Sequence, residues 1–589
     1  MYGWTGNILH INLTTRNFSV ETPDSDFYGK YMGGKGMGGY YLRQCATLPF
    51  DHPDMVVCLF TGPLVATIAP TSGRAHLVSK SPLTGLVGDA SLGGKLPTQL
   101  KRAGWDGMVI TGKSPYPIGI EIINHQVNFC RADHLWGLDT QQVHERLTPG
   151  KAGLASIGPA AENGVRFASV TVDLHHAAGR SGLGLCFAVK QLKYLLVKGQ
   201  GHTRVKDAKG LKEAREEIFR LTAASPALMG QYGFSSLGTG AVYDLIDSRR
   251  MMPTDNFKGT WFKHAPKLNA AAYSKTYAPE KYGCRGCHIL CKRIARPKGL
   301  DPMAMPEYET MSHFTALIGS RDMELVVAAN DRCSRYGMDT ISAAATLACR
   351  REITGKDFTS QSLLSLLDDM ALNRGEGKEL NKGALAYART MGHPESAMAV
   401  KAMELPAYDP RGAYGMALGY ALSTRGGCHL RAYPISHEIF RKPVATDRFS
   451  FSGKARIIKI AEDFNAVVDS LTACKFIFFA AGLEEYAKAY TAVTGEKSAA
   501  QDLISVGERI YYNERIINSL NGFDARDDDL PPRFFNEPGT GGNQIKVAPI
   551  DRVQFLAARE KYYRIRGLDI SGNPLEEKAR ALGLEWKNL

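Results

Sequence analysis

The chain has 589 residues, 44% of them hydrophobic and 22% charged, with a formal net charge of +13. That length predicts two to four domains with large cores, and that balance excludes a disordered chain. The longest apolar stretch, Met55 to Ala69, is broken by Gly62 and Pro63 and is too short to cross a bilayer, so no membrane span is expected.

The start, Met-Tyr-Gly-Trp-Thr-Gly-Asn, has neither a basic segment nor an apolar one, so no signal peptide is expected. Eleven scattered cysteines then predict a reducing, cytoplasmic setting rather than a disulfide framework. The basic residues are dispersed, with no Lys/Arg block, no aromatic-rich RNA motif and no helix-turn-helix pattern. No nucleic-acid partner is expected; an anionic cofactor and acidic partners account for the charge.

Residues 1 to about 205 are Gly-rich, with short apolar runs at Met55–Phe60, Gly107–Thr111, Gly119–Ile123 and Tyr194–Val197 that predict strands. Gly34-Lys-Gly36-Met-Gly-Gly39 matches G-x-G-x-x-G. The preceding Asp26–Met32 does not read as a strand and no ribose-binding acid follows, so a dinucleotide site is not expected. Two other loops fit an anion better: Thr71-Ser-Gly-Arg74, followed by Ala90-Ser91-Leu-Gly93-Gly94, and Ala177-Ala178-Gly179-Arg180-Ser-Gly-Leu-Gly184. Their glycines expose backbone N–H groups and each arginine supplies a bidentate fork.

From about Leu211 the spacing turns helical, at Leu211–Leu221, Glu324–Tyr336 and Leu363–Asn373. From about Leu405 helices continue, at Ala455–Ser470, Glu484–Thr494 and Ala500–Ser519. A third arginine-bearing loop, Arg425-Gly-Gly-Cys428-His429-Leu-Arg431, lies among them. Any one such loop alone is compatible with an ordinary turn; four arginines beside Gly-rich loops predict a large polyanionic ligand. The stretch Asp524 to Gln544, rich in Asp, Pro and Gly, predicts a surface loop. An α+β chain follows, with an N-terminal β-sheet domain over 1–205 and two mostly helical domains over 206–400 and 401–589.

The densest chemical signal is Cys284-x-x-Cys287-x-x-x-Cys291, with a distant fourth thiol at Cys474. Three thiols within eight residues cannot all pair with one another, and such a set suits an iron–sulfur cluster or another soft metal. A structural zinc site using His288 or a remote ligand is the alternative. Arg285, Lys292 and Arg293 put positive charge beside the triplet, suited to an acidic electron carrier.

Many segments, in order and nearly end to end, resemble the tungsten-containing aldehyde:ferredoxin oxidoreductase family. They are the start from Gly3 to Thr15, Thr71–Arg74, Ser79–Gly85, Ile157–Asn163, Ala177–Arg180, Pro306-Glu-Tyr-Glu309, Glu404–Gly412 and Arg425–His429. The resemblance implies a sheet base domain carrying tungsten or molybdenum between two pyranopterins, a nearby [4Fe-4S] cluster and two helical domains. It implies Cys284, Cys287, Cys291 and Cys474 as cluster ligands. Arg74, Ser91, Gly93 and Ala177, Ala178, Gly179 and Arg180 would meet the pterin phosphates and a bridging Mg²⁺. Met338, Asp339, Arg425, Arg431, Asp469, Ala473 and Lys475 would complete the pterin cradle.

The family's two Asp-x-x-Gly-Leu elements are altered here, to Ser334-Arg-Tyr-Gly337-Met338-Asp339 and Asp469-Ser-Leu-Thr-Ala473-Cys474. Glu309 and His429 match its active-site pair. Read alone, Glu309 would be a solvated acid and His429 a core or turn histidine. The implied activity interconverts aldehydes and carboxylic acids, with electrons passing to ferredoxin or a ferredoxin-like subunit, in an oligomer. The alternatives are an aromatic acyl-thioester reductase subunit of the same family, or a cluster- or zinc-bearing subunit without a working pterin site.

Overall fold

A computed structural model describes residues 1–586; the last three residues of the expected 401–589 unit lie outside the described residues. The N-terminal part is two six-stranded sheets. The first has the order β2-β1-β6-β3-β4-β5, from β1 Ile8–Asn12, β2 Asn17–Glu21, β3 Val57–Thr61, β4 Ala75–Lys80, β5 Val87–Leu92 and β6 Gly107–Thr111. The second has the order β11-β10-β9-β12-β7-β8, from β7 Ile118–Ile123, β8 Gln126–Arg131, β9 Gly153–Ser156, β10 Val170–Val172, β11 His176–Ala178 and β12 Leu192–Lys198. Each sheet is mixed: β1 runs parallel to β6 and β12 parallel to β7, while the remaining neighbours are antiparallel.

The four apolar runs all form strands, because each is short, branched or aromatic, and bounded by turn residues. β3, Val-Cys-Leu-Phe-Thr, is buried along its whole length. The Gly34 loop is instead the first turn of a helix, Gly34–Arg43, and a short helix, Ser25–Tyr31, precedes it. A Cβ on Gly34, at φ +37°, would lie 2.2 Å from the Asp469 carbonyl oxygen. The glycine therefore serves close packing against the C-terminal half, not a dinucleotide.

The six helical periodicities also hold, as Ala208–Ala223, Met323–Tyr336, Ser360–Ala371, Lys454–Leu471, Leu483–Thr494 and Ala500–Leu520. Asp207 and Asp322 cap the first two by accepting from backbone N–H groups. The segment 524–544 is a surface loop only in part: residues 536–538 and 541–544 are exposed as its composition predicts, but its middle is not. Asp528 is fully buried, paired with Arg515 and Lys401, and Arg533 is buried against Glu352. Asp528 and Arg533 serve polar pairing in the interior, which composition cannot distinguish from solvent exposure.

A small three-stranded sheet completes the part that matters for the site: β13 Glu280–Tyr282, β14 Lys292–Ala295 and β15 Met303–Ala304, in that order. Its antiparallel β13–β14 hairpin carries the cysteine triplet at its tip, and β15 leads within a few residues to Glu309. No helix among the described residues is long and apolar enough to cross a membrane.

Candidate active site

Four segments meet at the cysteines. The 71–74 loop, in which Thr71 has φ +53°, packs on the triplet: a Cβ on Gly73 would lie 2.4 Å from the Arg285 carbonyl oxygen. Cys474 N–H donates to the Thr71 carbonyl at 3.0 Å, which draws the remote thiol to the same loop. Arg74 then bridges: Nε donates to Ser91 Oγ at 2.8 Å, Nη2 to the Ser91 carbonyl at 3.0 Å and Nη1 to Cys284 Sγ at 3.6 Å. A Cβ on Gly93 would stand 2.5 Å from Cys284 Sγ, so this glycine leaves room for a sulfur. All eleven cysteines are free thiols. Burial, reinforced by neighbouring sulfurs, pushes the Cys287 and Cys291 thiols up, and burial pushes Cys474 up to about 11.

Of the three cations beside the triplet, only Arg285 is exposed. Lys292 is paired with Glu307, and Arg293 is buried on the carbonyls of Leu290 and Ser235. The predicted basic patch therefore reduces to Arg285 at the triplet, because the β14 residues turn their charges into the protein.

The arginine loops converge on a second centre. Arg180 donates to Asp339 Oδ2 at 3.2 Å, to the Gly427 carbonyl at 2.9 Å and to the Glu404 carbonyl at 2.5 Å. A guanidinium has five N–H groups, so two remain for a ligand. Ala177 is exposed, Ala178 buried and Gly179 half-buried on the same loop. Asp339 caps the helix Thr340–Thr354, accepting from Ile341 N–H, and binds Ser342 Oγ; Met338 is buried beside it. Ser334, where the family's leading Asp is replaced, is exposed. Arg431 binds both carboxylate oxygens of Asp89, while Arg425 Nη1 donates to the Asp89 carbonyl at 2.6 Å. Lys475 Nζ binds Asp469 at 2.9 Å and the Leu430 carbonyl at 2.7 Å. Ala473 is buried just after Thr472, the left-handed residue that ends the helix Lys454–Leu471.

Several participants are not among the site residues expected from the sequence. Lys35, delivered by the Gly34 helix, is buried and paired with Glu514 at 3.0 Å. His76 Nε2 bonds Asp89 Oδ2 at 2.6 Å, and its Nδ1 is buried without a partner. His76, Asp89 and Asp469 lie close enough to share a cation. Burial would push the Asp89 carboxyl up, but Arg431, Lys35 and Arg425 outweigh it and hold it well below the usual range. With these cations around it, the cluster is a mixed-charge floor rather than a metal trap. Only the alternation of β4, which puts His76 on the same face as Arg74, could have revealed it from sequence.

Glu309 and His429 face each other, with Oε1 3.7 Å from Nε2. Glu309 sits in the first turn of the helix Tyr308–Ser312. Its Oε2 accepts from Ala407 N–H at 2.8 Å, and its Oε1 is buried without a partner, as is His429 Nδ1. Glu309 is thus not the solvated acid it resembles in isolation. Burial pushes its carboxyl up to about 8. Burial, with Arg180, Arg425 and Lys475 nearby, holds His429 well below the ordinary histidine value, so it is neutral. His313 donates its Nδ1–H to the Glu309 carbonyl at 2.7 Å and fixes that turn. Tyr408 and Tyr433 flank His429, with ring centroids 5.5 and 5.8 Å away.

A double-sheet base, a convergence of four thiols and a buried acid–imidazole pair mark the class of an oxidoreductase. The comparisons make it specific. The family model for the N-terminal domain of aldehyde ferredoxin oxidoreductase matches residues 8–199, and that for its domains 2 and 3 matches 213–584. The chain is 34% identical to the tungsten-containing aldehyde ferredoxin oxidoreductase of Thermococcus kodakarensis, covering 99% of each chain. It is 35% identical to the enzyme of that name from Pyrococcus horikoshii, covering 99% of this chain and all of that one. The fold is similar to the active site complex BamBC of benzoyl coenzyme A reductase, solved with 1,5-dienoyl-CoA: TM-score 0.84, 20% identity, 99% and 97% of the two chains covered. The chain belongs to the aldehyde ferredoxin oxidoreductase family.

Proposed function

We propose that the chain interconverts aldehydes and carboxylic acids on a tungsten or molybdenum bis-pyranopterin, passing electrons through one [4Fe-4S] cluster to ferredoxin or a ferredoxin-like subunit. The observation that carries this is the pairing of Glu309 with His429. Both present a buried, unpartnered polar atom, and both stand beside converging arginine loops.

The residues present fit the cofactors. Free, half-buried thiols at 284, 287, 291 and 474 and the side-chain-free cradle at Gly93 suit a cluster. Arg74, Ser91, Gly93 and the 177–180 loop would meet phosphates and Mg²⁺. Met338, Asp339, Arg425, Arg431, Asp469, Ala473 and Lys475 would hold the pterins. When bound, the metal–pterin group supplies a two-electron acceptor.

The protein's own part is proton management. Oxidation converts RCHO and H₂O into RCOOH, two protons and two electrons. Neutral His429 donates an N–H to the carbonyl oxygen as it gains negative charge, and ionised Glu309 takes a proton from the attacking water. Acid reduction runs the same transfers backwards, from protonated Glu309. Tyr408 and Tyr433 cover the pair and limit access of bulk water.

The test is elemental analysis of anaerobically purified protein. About one tungsten or molybdenum with four irons per chain is expected for this cofactor set. Zinc alone, or iron without tungsten or molybdenum from a metal-replete source, would overturn the reading.

A further inference from the structure

Cys428 is 1% exposed and belongs to no thiol cluster. Its sulfur accepts three N–H groups: Arg425 Nε at 3.0 Å, Arg425 Nη2 at 2.9 Å and Leu430 N at 3.2 Å. Two of these come from one guanidinium, in the forked geometry that arginine otherwise gives to a carboxylate. Arg425 is itself buried. Its remaining nitrogen, Nη1, donates to the Asp89 carbonyl and lies 3.6 Å from an Asp89 oxygen that Arg431 also binds. A neutral partner at 428 would leave this guanidinium buried and short of charge, a costly state.

The pair also closes a loop. Residues 425 to 428 form a ring through Gly426, at φ +104°, and Gly427, where a Cβ would lie 2.5 Å from the Met403 carbonyl oxygen. The next residue is His429.

We propose that Arg425 and Cys428 are a positioning pair that holds His429 opposite Glu309, with the sulfur serving as an anion rather than as a thiol. This rests on the reaction proposed above. Burial would raise the Cys428 thiol, but Arg425, Arg431 and Arg180 outweigh it and hold it below the usual cysteine value. The anion in turn opposes ionisation of Glu309. The other groups around that carboxyl are Arg180 and Asp339, with His313, His429, Tyr308, Tyr408, Tyr420 and Tyr433 packed nearby.

The experiment compares metal-loaded wild type, Cys428→Ser and Cys428→Asp. Serine keeps the size and removes the charge; aspartate restores the charge. We expect Cys428→Ser to lose about tenfold or more in kcat, with KM changed much less, as for a misoriented catalytic group. Its kcat–pH profile for aldehyde oxidation should move to lower pH, because the charge opposing Glu309 ionisation is gone. Cys428→Asp should recover part of both. The inference falls if Cys428→Ser keeps kcat within about twofold with an unmoved profile. It also falls if aspartate, with metal content intact, is no better than serine. Should Cys428→Asp fail to load metal, the profile of the serine variant decides alone. A wild type without tungsten or molybdenum and without aldehyde turnover would instead sink the parent reading, so the two failures are distinct.

Discussion

At the residue scale the acid–imidazole pair is defined by what its atoms lack. Glu309 Oε1 and His429 Nδ1 are buried and unpartnered in a protein whose other buried polar atoms are mostly satisfied. Glu309→Gln keeps the shape and removes the proton acceptor. We expect kcat to fall by about 10² to 10⁴, with metal content per chain unchanged. His429→Phe should fall comparably; loss of tungsten or molybdenum in both variants would make the pair structural. The pH dependence follows from a carboxyl raised to about 8. Below that pH Glu309 is a neutral acid and cannot take a proton; above it the carboxylate is available. Aldehyde oxidation should therefore rise as pH passes through about 8, and acid reduction should fall over the same interval. A flat profile for both directions would remove Glu309 from proton transfer.

At the element scale, two helix contacts set the geometry of the C-terminal half. Helix Lys454–Leu471 packs on helix Ala500–Leu520 so closely that a Cβ on Gly507 would stand 2.1 Å from the Asp463 carbonyl oxygen. Asp463 and Glu462 also hold Arg566, on the helix Arg552–Arg566, in fully buried ion pairs, so a shift of helix Lys454–Leu471 away from Gly507 would loosen them. Gly507→Ala should destabilise the protein by about 1–3 kcal/mol, the usual cost of overpacking, measurable as a lower unfolding midpoint. An unchanged midpoint would mean that the helices separate more easily than this contact implies. Because Asp469 and Cys474 follow on the same helix and its exit, the variant should also load less iron.

At the scale of the whole molecule, how much was legible depends on distance along the chain. Local signals carried well. The short apolar runs became strands, the spaced apolar residues became helices, and the order of motifs pointed to the right family. What failed needed long-range information. Nothing near Lys292 or Arg293 announces that Glu307 and backbone carbonyls will bury their charge. In the partly exposed 524–544 segment, Asp528 reads as a solvated acid until Arg515 and Lys401 are seen around it. His76 and Asp89 have no motif, since their role arises only when loops from both ends of the chain converge on them. The same convergence predicts a linkage. Cofactors that bind the folded chain and not the unfolded one stabilise it by mass action. Metal-stripped protein should therefore unfold at a lower temperature than loaded protein in calorimetry, and equal midpoints would mean that the cofactors contribute nothing to folding.

The thiol set is drawn from residues 284 to 291 and from residue 474, and the loop that gathers them comes from residues 71 to 74. During synthesis the 71–74 loop and the 284–291 triplet leave the ribosome long before Cys474. A nascent chain thus exposes three cysteines without their fourth partner, and the 71–74 loop without its C-terminal clamp. Under the proposed [4Fe-4S] assignment, cluster delivery to the growing chain would meet an incomplete site, so loading is expected only after release.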